Sequence, residues 1–142
     1  ISIRNLSGNE SHKDTALSYN GLGLCYRKKR QFKKAIGIFR RLTKIHTKLS
    51  GKEHVSSLGI GITFHNLGLA YGNDGQYKKS IAWHKRAIQN FEKQLNPGNS
   101  IIDLNRREIA RGEECLKVQE RTQLQIAWLE GDEALENTFT WA

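Results

Sequence analysis

Apolar residues recur along this chain at helical spacing, in five stretches separated by short polar breaks. The spacing predicts a first helix over residues 11–29, with Leu17, Leu24 and Cys25 in phase and Gly21 and Tyr26 between them. A second is expected over 32–48, where Ala35, Ile36, Phe39, Leu42 and Ile45, continued by Leu49, make an unbroken stripe. The break from Arg27 to Gln31 has the length that joins two antiparallel helices. A third helix is expected over 55–72 on Leu58, Ile62, Leu67, Ala70 and Tyr71. Gly59 and Gly61 weaken its start, each by about 1 kcal/mol relative to alanine. Gly72-Asn73-Asp74-Gly75 reads as a turn. The fourth helix, over 77–95, turns Ile81, His84, Ala87, Ile88 and Phe91 inward, and Asn96-Pro97-Gly98-Asn99 stops it. A fifth and longer helix, over 103–128, has one apolar side built from Ile102, Ile109, Cys115, Leu116 and Leu124. Residues 129–142 turn acidic and then aromatic (Phe139, Trp141) and are expected to be irregular.

The first two pairs of helices are versions of one segment. Leu22-Gly23-Leu24-Cys25-Tyr26 followed by Gln31-Phe32-Lys33-Lys34-Ala35-Ile36 returns, 45 residues on, as Leu67-Gly68-Leu69-Ala70-Tyr71 followed by Gln76-Tyr77-Lys78-Lys79-Ser80-Ile81. A fixed-period repeat indicates a solenoid of stacked units. Gly23 and Gly68 fall in mid-helix, where glycine is locally unfavourable. A close helix–helix approach is the expected compensation, with Ala35 and Ser80 as the small residues opposite and Tyr26 and Tyr71 beside the turn. Leu6-Ser7-Gly8-Asn9-Glu10 precedes the first hairpin much as Leu49-Ser50-Gly51-Lys52-Glu53 precedes the second. Residues 1–6 therefore read as the tail of a preceding hairpin, and the chain, which starts at Ile1 and has no methionine, reads as a fragment. The fifth stretch lacks the Leu-Gly…Tyr signature and is expected to cap the array. The units are then 1–10 as an upstream tail, 11–50 and 51–98 as hairpins, 99–130 as the cap and 131–142 as the tail. Two full repeats are fewer than the three or so that usually suffice for stability, so the fragment is expected to be marginal alone.

Charge changes the picture by its distribution. The net charge is +9, and no acid occurs between Thr15 and Lys52, a span with eleven lysines and arginines. After Ile102 the balance reverses. Such asymmetry suggests an acidic partner, against the plainer reading of a solvated helix face. Cys25 and Cys115 sit among apolar helical residues and are expected to be buried free thiols in a reducing, cytoplasmic setting. Nothing in the opening residues resembles a signal peptide, and the apolar runs are too short to span a membrane. Asn5-Leu6-Ser7 and Asn9-Glu10-Ser11 match the glycosylation pattern by chance on this reading.

Catalytic chemistry finds little support. His12, His46, His54, His65 and His84 are scattered, and none pairs with a cysteine or another histidine at metal-ligand spacing. No phosphate-cradling loop follows a strand and no nucleophile elbow occurs. No catalytic residue, metal or cofactor is expected, and His84 reads as a hydrogen-bonded core residue. The basic run over 27–48 could bind phosphates in a salt-dependent way. Aromatic residues for base stacking are missing from its exposed face, so nucleic acid is disfavoured as the main ligand.

The doubled pattern resembles the tetratricopeptide repeat over residues 15–49 and 61–95. Tyr19 and Phe64 stand where the family usually has tryptophan, His84 replaces an aromatic found as Phe39 in the first copy, and the closing proline is absent. The 45-residue period exceeds the family's usual 34 and is similar to long-period variants in kinesin light chains and Leu-Gly-Asn-type polarity adaptors. The resemblance implies an all-α, right-handed superhelix of antiparallel hairpins. Its first helices would line a concave groove for a peptide or protein segment. The implied groove positions are Leu17, Asn20, Leu24, Arg27 and Lys28, then Ile62, His65, Asn66, Leu69 and Asn73. Asn20 and Asn66 would grip a peptide backbone, since an amide offers both donor and acceptor, and Arg27 and Lys28 would meet acidic side chains. The carboxylate clamp of some family members matches only at Asn66, so chaperone tails are not expected. The implied role is a non-enzymatic adaptor. Alternatives are a structural subunit of a large assembly, such as a cytoskeletal one, and a peptide-sensing domain of a larger regulator.

Overall fold

A computed structural model describes residues 12–48 and 57–131. They form five helices: α1 (His12–Lys28), α2 (Phe32–Lys48), α3 (Ser57–Asn73), α4 (Tyr77–Phe91) and α5 (Ser100–Leu129). Each packs along the next. The odd-numbered helices also touch one another lightly, α1 to α3 and α3 to α5, whereas α2 and α4 do not meet. The stack therefore bends with α1, α3 and α5 on its inner side and α2 and α4 on its outer side. The expected upstream tail, 1–10, and the terminal segment apart from Gly131 lie outside the described residues.

The cores lie between hairpins as well as within them. Ala35, Ile36 and Phe39 of α2 pack with Leu67, Ala70 and Tyr71 of α3. Ala87 and Phe91 of α4 pack with Ile102 of α5. Each unit thus buries its apolar stripe against its neighbour.

The repeated glycines mark close approaches, but to a different residue from the one expected. A Cβ on Gly23 would lie 2.6 Å from the Phe39 ring, and one on Gly68 would lie 2.8 Å from the His84 ring. The ring sits one helical turn beyond Ala35 or Ser80. Ser80 has another role: its hydroxyl donates to the Gly68 carbonyl at 2.8 Å, bonding α4 to α3.

Both hairpin turns end the first helix in the same way. Arg30 (φ 62°) and Gly75 (φ 79°) occupy the left-handed region. The following amides, of Gln31 and Gln76, reach back to the carbonyls of Tyr26 and Tyr71, each at 2.9 Å, which satisfies the helix ends. Only Gly75 adopts this conformation without steric penalty. Arg30→Gly should therefore stabilise the chain by about 0.5–1 kcal/mol, after the extra entropy of unfolded glycine is set against relief of the left-handed strain. A raised urea midpoint would show it; a lowered midpoint would mean that the arginine side chain contributes more than its backbone loses.

Three expectations need correction. Helix α4 stops at Phe91, because three-residue bonds from Lys93 to Asn90 and Gln94 to Phe91 tighten the chain into a turn before Pro97. Helix α5 starts at Ser100, earlier than expected, because Asn99 caps it: its side-chain oxygen accepts from the Ile101 amide at 3.0 Å. Cys25 is exposed and Cys115 half-buried. The counterpart of Cys25 in the repeat, Ala70, is fully buried beneath α2. Among the described helices α1 touches only α2 and α3, so no helix covers that side of Cys25.

Candidate functional site

The inner surface is assembled from α1 and α3, with α5 at its far edge. Leu17 and Ile62 occupy the same repeat position one helix apart, and both are exposed, by 62% and 44%. Seven residues on, two turns along each helix, Leu24 and Leu69 repeat the pattern and are half-buried. Exposed leucine and isoleucine in register make an apolar strip on the inner side.

Polar residues between and just beyond these corners join α1 to α3. Asn66 donates from Nδ2 to Asn20 Oδ1 at 2.8 Å, linking α3 to α1. Arg27 donates from Nε to Asn73 Oδ1 at 2.8 Å across the same pair of helices. Asn20 and Asn66, read from sequence as the grip on a peptide backbone, thus engage one another. One donor and one acceptor are used in that pair, so Asn20 Nδ2 and Asn66 Oδ1 are left for a ligand. Asn66 is only 7% exposed, which restricts what it can reach. Lys28 is exposed at the turn end.

His65 departs furthest from expectation. It is 9% exposed, and its Nδ1 lies 3.0 Å from Asn105 Oδ1 on α5. The same oxygen lies 2.7 Å from Nδ1 of His84 on α4. Asn105 Nδ2 donates to the Ile101 carbonyl at 2.8 Å, which fixes the amide with its oxygen toward both rings. Both imidazoles therefore donate from Nδ1. Burial lowers both pKa values below the ordinary 6.5; for His65 the Asn105 bond and Glu108 oppose the shift and Arg27 adds to it. Asn105 is fully buried and was missed in the sequence. The signal for it was an amide one turn from Ile102 on the apolar stripe of α5. His84 is the core histidine that the sequence led us to expect, although its Nε2 has no partner.

Among the described residues no group of three His, Cys, Asp or Glu could hold a metal ion. No described helix is long and apolar enough to cross a membrane. An open cleft between the start of α4 and α5 is lined by Lys78, Lys79, Gln119, Glu120 and Gln123. None of these is a nucleophile poised beside a base.

A family model described as tetratricopeptide repeat matches residues 14–93. No curated protein matches the sequence. Among solved structures, the chain is similar to the nearly identical TPR-like repeats of a kinesin light chain assignment from Podospora anserina, with a TM-score of 0.59 and 18% identity. That alignment covers 96% of this chain but only 62% of the other, so the chain spans less than two thirds of that structure. At such identity the likeness concerns the fold.

Proposed function

The chain belongs to the tetratricopeptide repeat family, and we propose that it is a non-enzymatic adaptor that holds a protein segment against the inner surface of α1 and α3. Repeats of this family generally mediate protein–protein interaction. The observation that carries the finer reading is the exposed pair Leu17 and Ile62, backed by Leu24 and Leu69. Large apolar side chains left in water at one repeated position offer a partner area to bury, at roughly 25 cal/mol per Å². With the amides largely engaged, the segment is held by its side chains more than by its backbone. Arg27 and Lys28 at the turn end favour carboxylates on that segment. The setting we propose is cytoplasmic.

The test follows from the geometry. Asn20→Ala or Asn66→Ala would also break a bond between α1 and α3, so the informative variant is Leu17→Ser with Ile62→Ser, which alters exposed side chains only. Capture of partners from nuclease-treated extract should fall about ten-fold, with the urea midpoint unchanged. Undiminished capture would defeat the groove reading. It would move the interaction to α5, whose Val118, Ile126 and Leu129 are also exposed, and favour a structural subunit of an assembly.

A further inference from the structure

The outer side of the stack carries a regularity that groove binding does not use. On α2 the basic residues Lys33, Lys34, Arg40, Arg41 and Lys48 are all exposed. Forty-five residues on, Lys78, Lys79, Lys85, Arg86 and Lys93 occupy the same repeat positions and are exposed as well. Lys44 alone lacks a basic counterpart, since Gln89 stands there. Neither α2 nor α4 contains an acidic residue; acids beside the rows include Glu92 just after α4 and Glu120 of α5, which lines the cleft with Lys78 and Lys79. At 100° per residue the cations of α2 fall in a sector roughly 120° wide, directly opposite the buried Ala35, Ile36, Phe39, Leu42 and His46. The small residues Gly37 and Ala82 sit within the two sectors, both exposed, so little protrudes between the charges.

The positions fall in heptad rows. Lys34, Arg41 and Lys48 are successive steps of seven residues, as are Lys79, Arg86 and Lys93. Beside them run Lys33 with Arg40 and Lys78 with Lys85. Each step within α2, and those from Lys78 to Lys85 and from Lys79 to Arg86 within α4, is about 10.5 Å along the helix, whereas Lys93 lies in the turn that follows α4. Some of these cations are also held by aromatic faces: Lys34 lies 5.7 Å from the Tyr26 ring centre, Lys79 5.5 Å from Tyr71 and Arg86 4.6 Å from Trp83.

We propose that the outer faces of α2 and α4 form a second interaction surface, which takes an acidic polypeptide helix whose carboxylates recur in heptads. A second helix has the same rise per residue, so its charges stay matched along the whole contact. A nucleic-acid strand presents a phosphate every 3.4 Å or so along the duplex axis, far denser than these rows, and most of its phosphates would go unmatched. Stacking of unpaired bases is disfavoured too, because the nearby rings of Tyr26, Tyr71 and Trp83 already carry cations. Anionic membranes usually hold such helices through apolar residues among the cations. Among the described residues, the exposed large apolar ones lie on α1, α3 and α5, away from the rows.

The test uses the full chain and two synthetic helical peptides of one composition, the first with glutamate pairs in heptad register and the second shuffled. The register-matched peptide should bind at low salt, weaken as salt rises, and exceed the shuffled one several-fold. Neutralising Arg40, Arg41, Lys85 and Lys78 to glutamine should weaken it about ten-fold. Neutralising Arg107, Arg111, Lys117 and Arg121 on α5 removes equal charge elsewhere and should change binding less than two-fold or so. Circular dichroism on both variants separates lost binding from lost fold. Equal binding of the two peptides, an equal loss in the α5 variant, or no binding at low salt would overturn the proposal. So would tighter binding to a DNA duplex or to phosphatidylserine vesicles.

Discussion

Gly68→Leu should destabilise the chain by at least about 3 kcal/mol, and in so small an array that is enough to abolish cooperative folding. The cause is local. Even a bare Cβ at residue 68 would lie 2.8 Å from three atoms of the His84 ring. That ring cannot retreat, since its Nδ1 is bonded to Asn105 and the residue is fully buried. Leucine would therefore push α4 from α3 and break the Ser80 bond to the Gly68 carbonyl as well. Gly21 supplies the control. It is also mid-helical, yet a Cβ there would meet nothing within 4 Å. Gly21→Ala should stabilise by roughly 0.5–1 kcal/mol, from helix propensity and unfolded-state entropy alone. Urea unfolding of the two variants beside the parent would decide the matter. A Gly68→Leu protein that melts cooperatively at the parent midpoint would refute the close-approach account.

The contrast between these glycines explains what the sequence could and could not reveal. Periodicity located all five helices, because a stripe such as Ala35-Ile36-Phe39-Leu42 has only one way to be buried. The doubled Gly23 and Gly68 announced a close contact, but spacing alone pointed at Ala35 and Ser80. The actual neighbour is a ring one turn further along, because side chains lean toward the helix N-terminus. Burial depended on position in the stack, which a local pattern does not encode. Ala70 and Cys25 are equivalent in the repeat, yet one lies beneath α2 and the other faces solvent. The matched positions of α1 and α3 were legible as a set, since Leu17 with Ile62 and Leu24 with Leu69 keep the 45-residue period. The pairing within it was not, because Asn20 with Asn66 and Arg27 with Asn73 join residues 46 apart, one more than the period. Asn105 was the largest omission. One polar residue on an apolar stripe looks like noise until both histidines opposite it are known.

That asparagine underlies the second large effect. Asn105→Ala should cost about 2–4 kcal/mol, since it removes the one acceptor shared by two buried donors, His65 Nδ1 and His84 Nδ1. Acid should act on the same place. Burial holds His65 and His84 below the ordinary 6.5, and His46, bonded to Thr63 across α2 and α3, is lowered for the same reason. The unfolded chain therefore takes up protons first as pH falls through 6.5, while the folded chain resists. Stability is complete above that value and declines as the pH drops toward the depressed folded values. At His84 the added proton must go to Nε2, which lies buried against the Gly68 backbone with no acceptor. The melting temperature should thus fall on moving from mildly alkaline to mildly acidic buffer. His84→Phe removes one of the titrating rings and restores the arrangement that Phe39 makes with Gly23, so its melting temperature should depend less on pH than the parent's. Equal pH dependence in parent and variant would assign the acid sensitivity to other groups. A melting temperature that rises on acidification would reverse the sign on which the account of both rings depends.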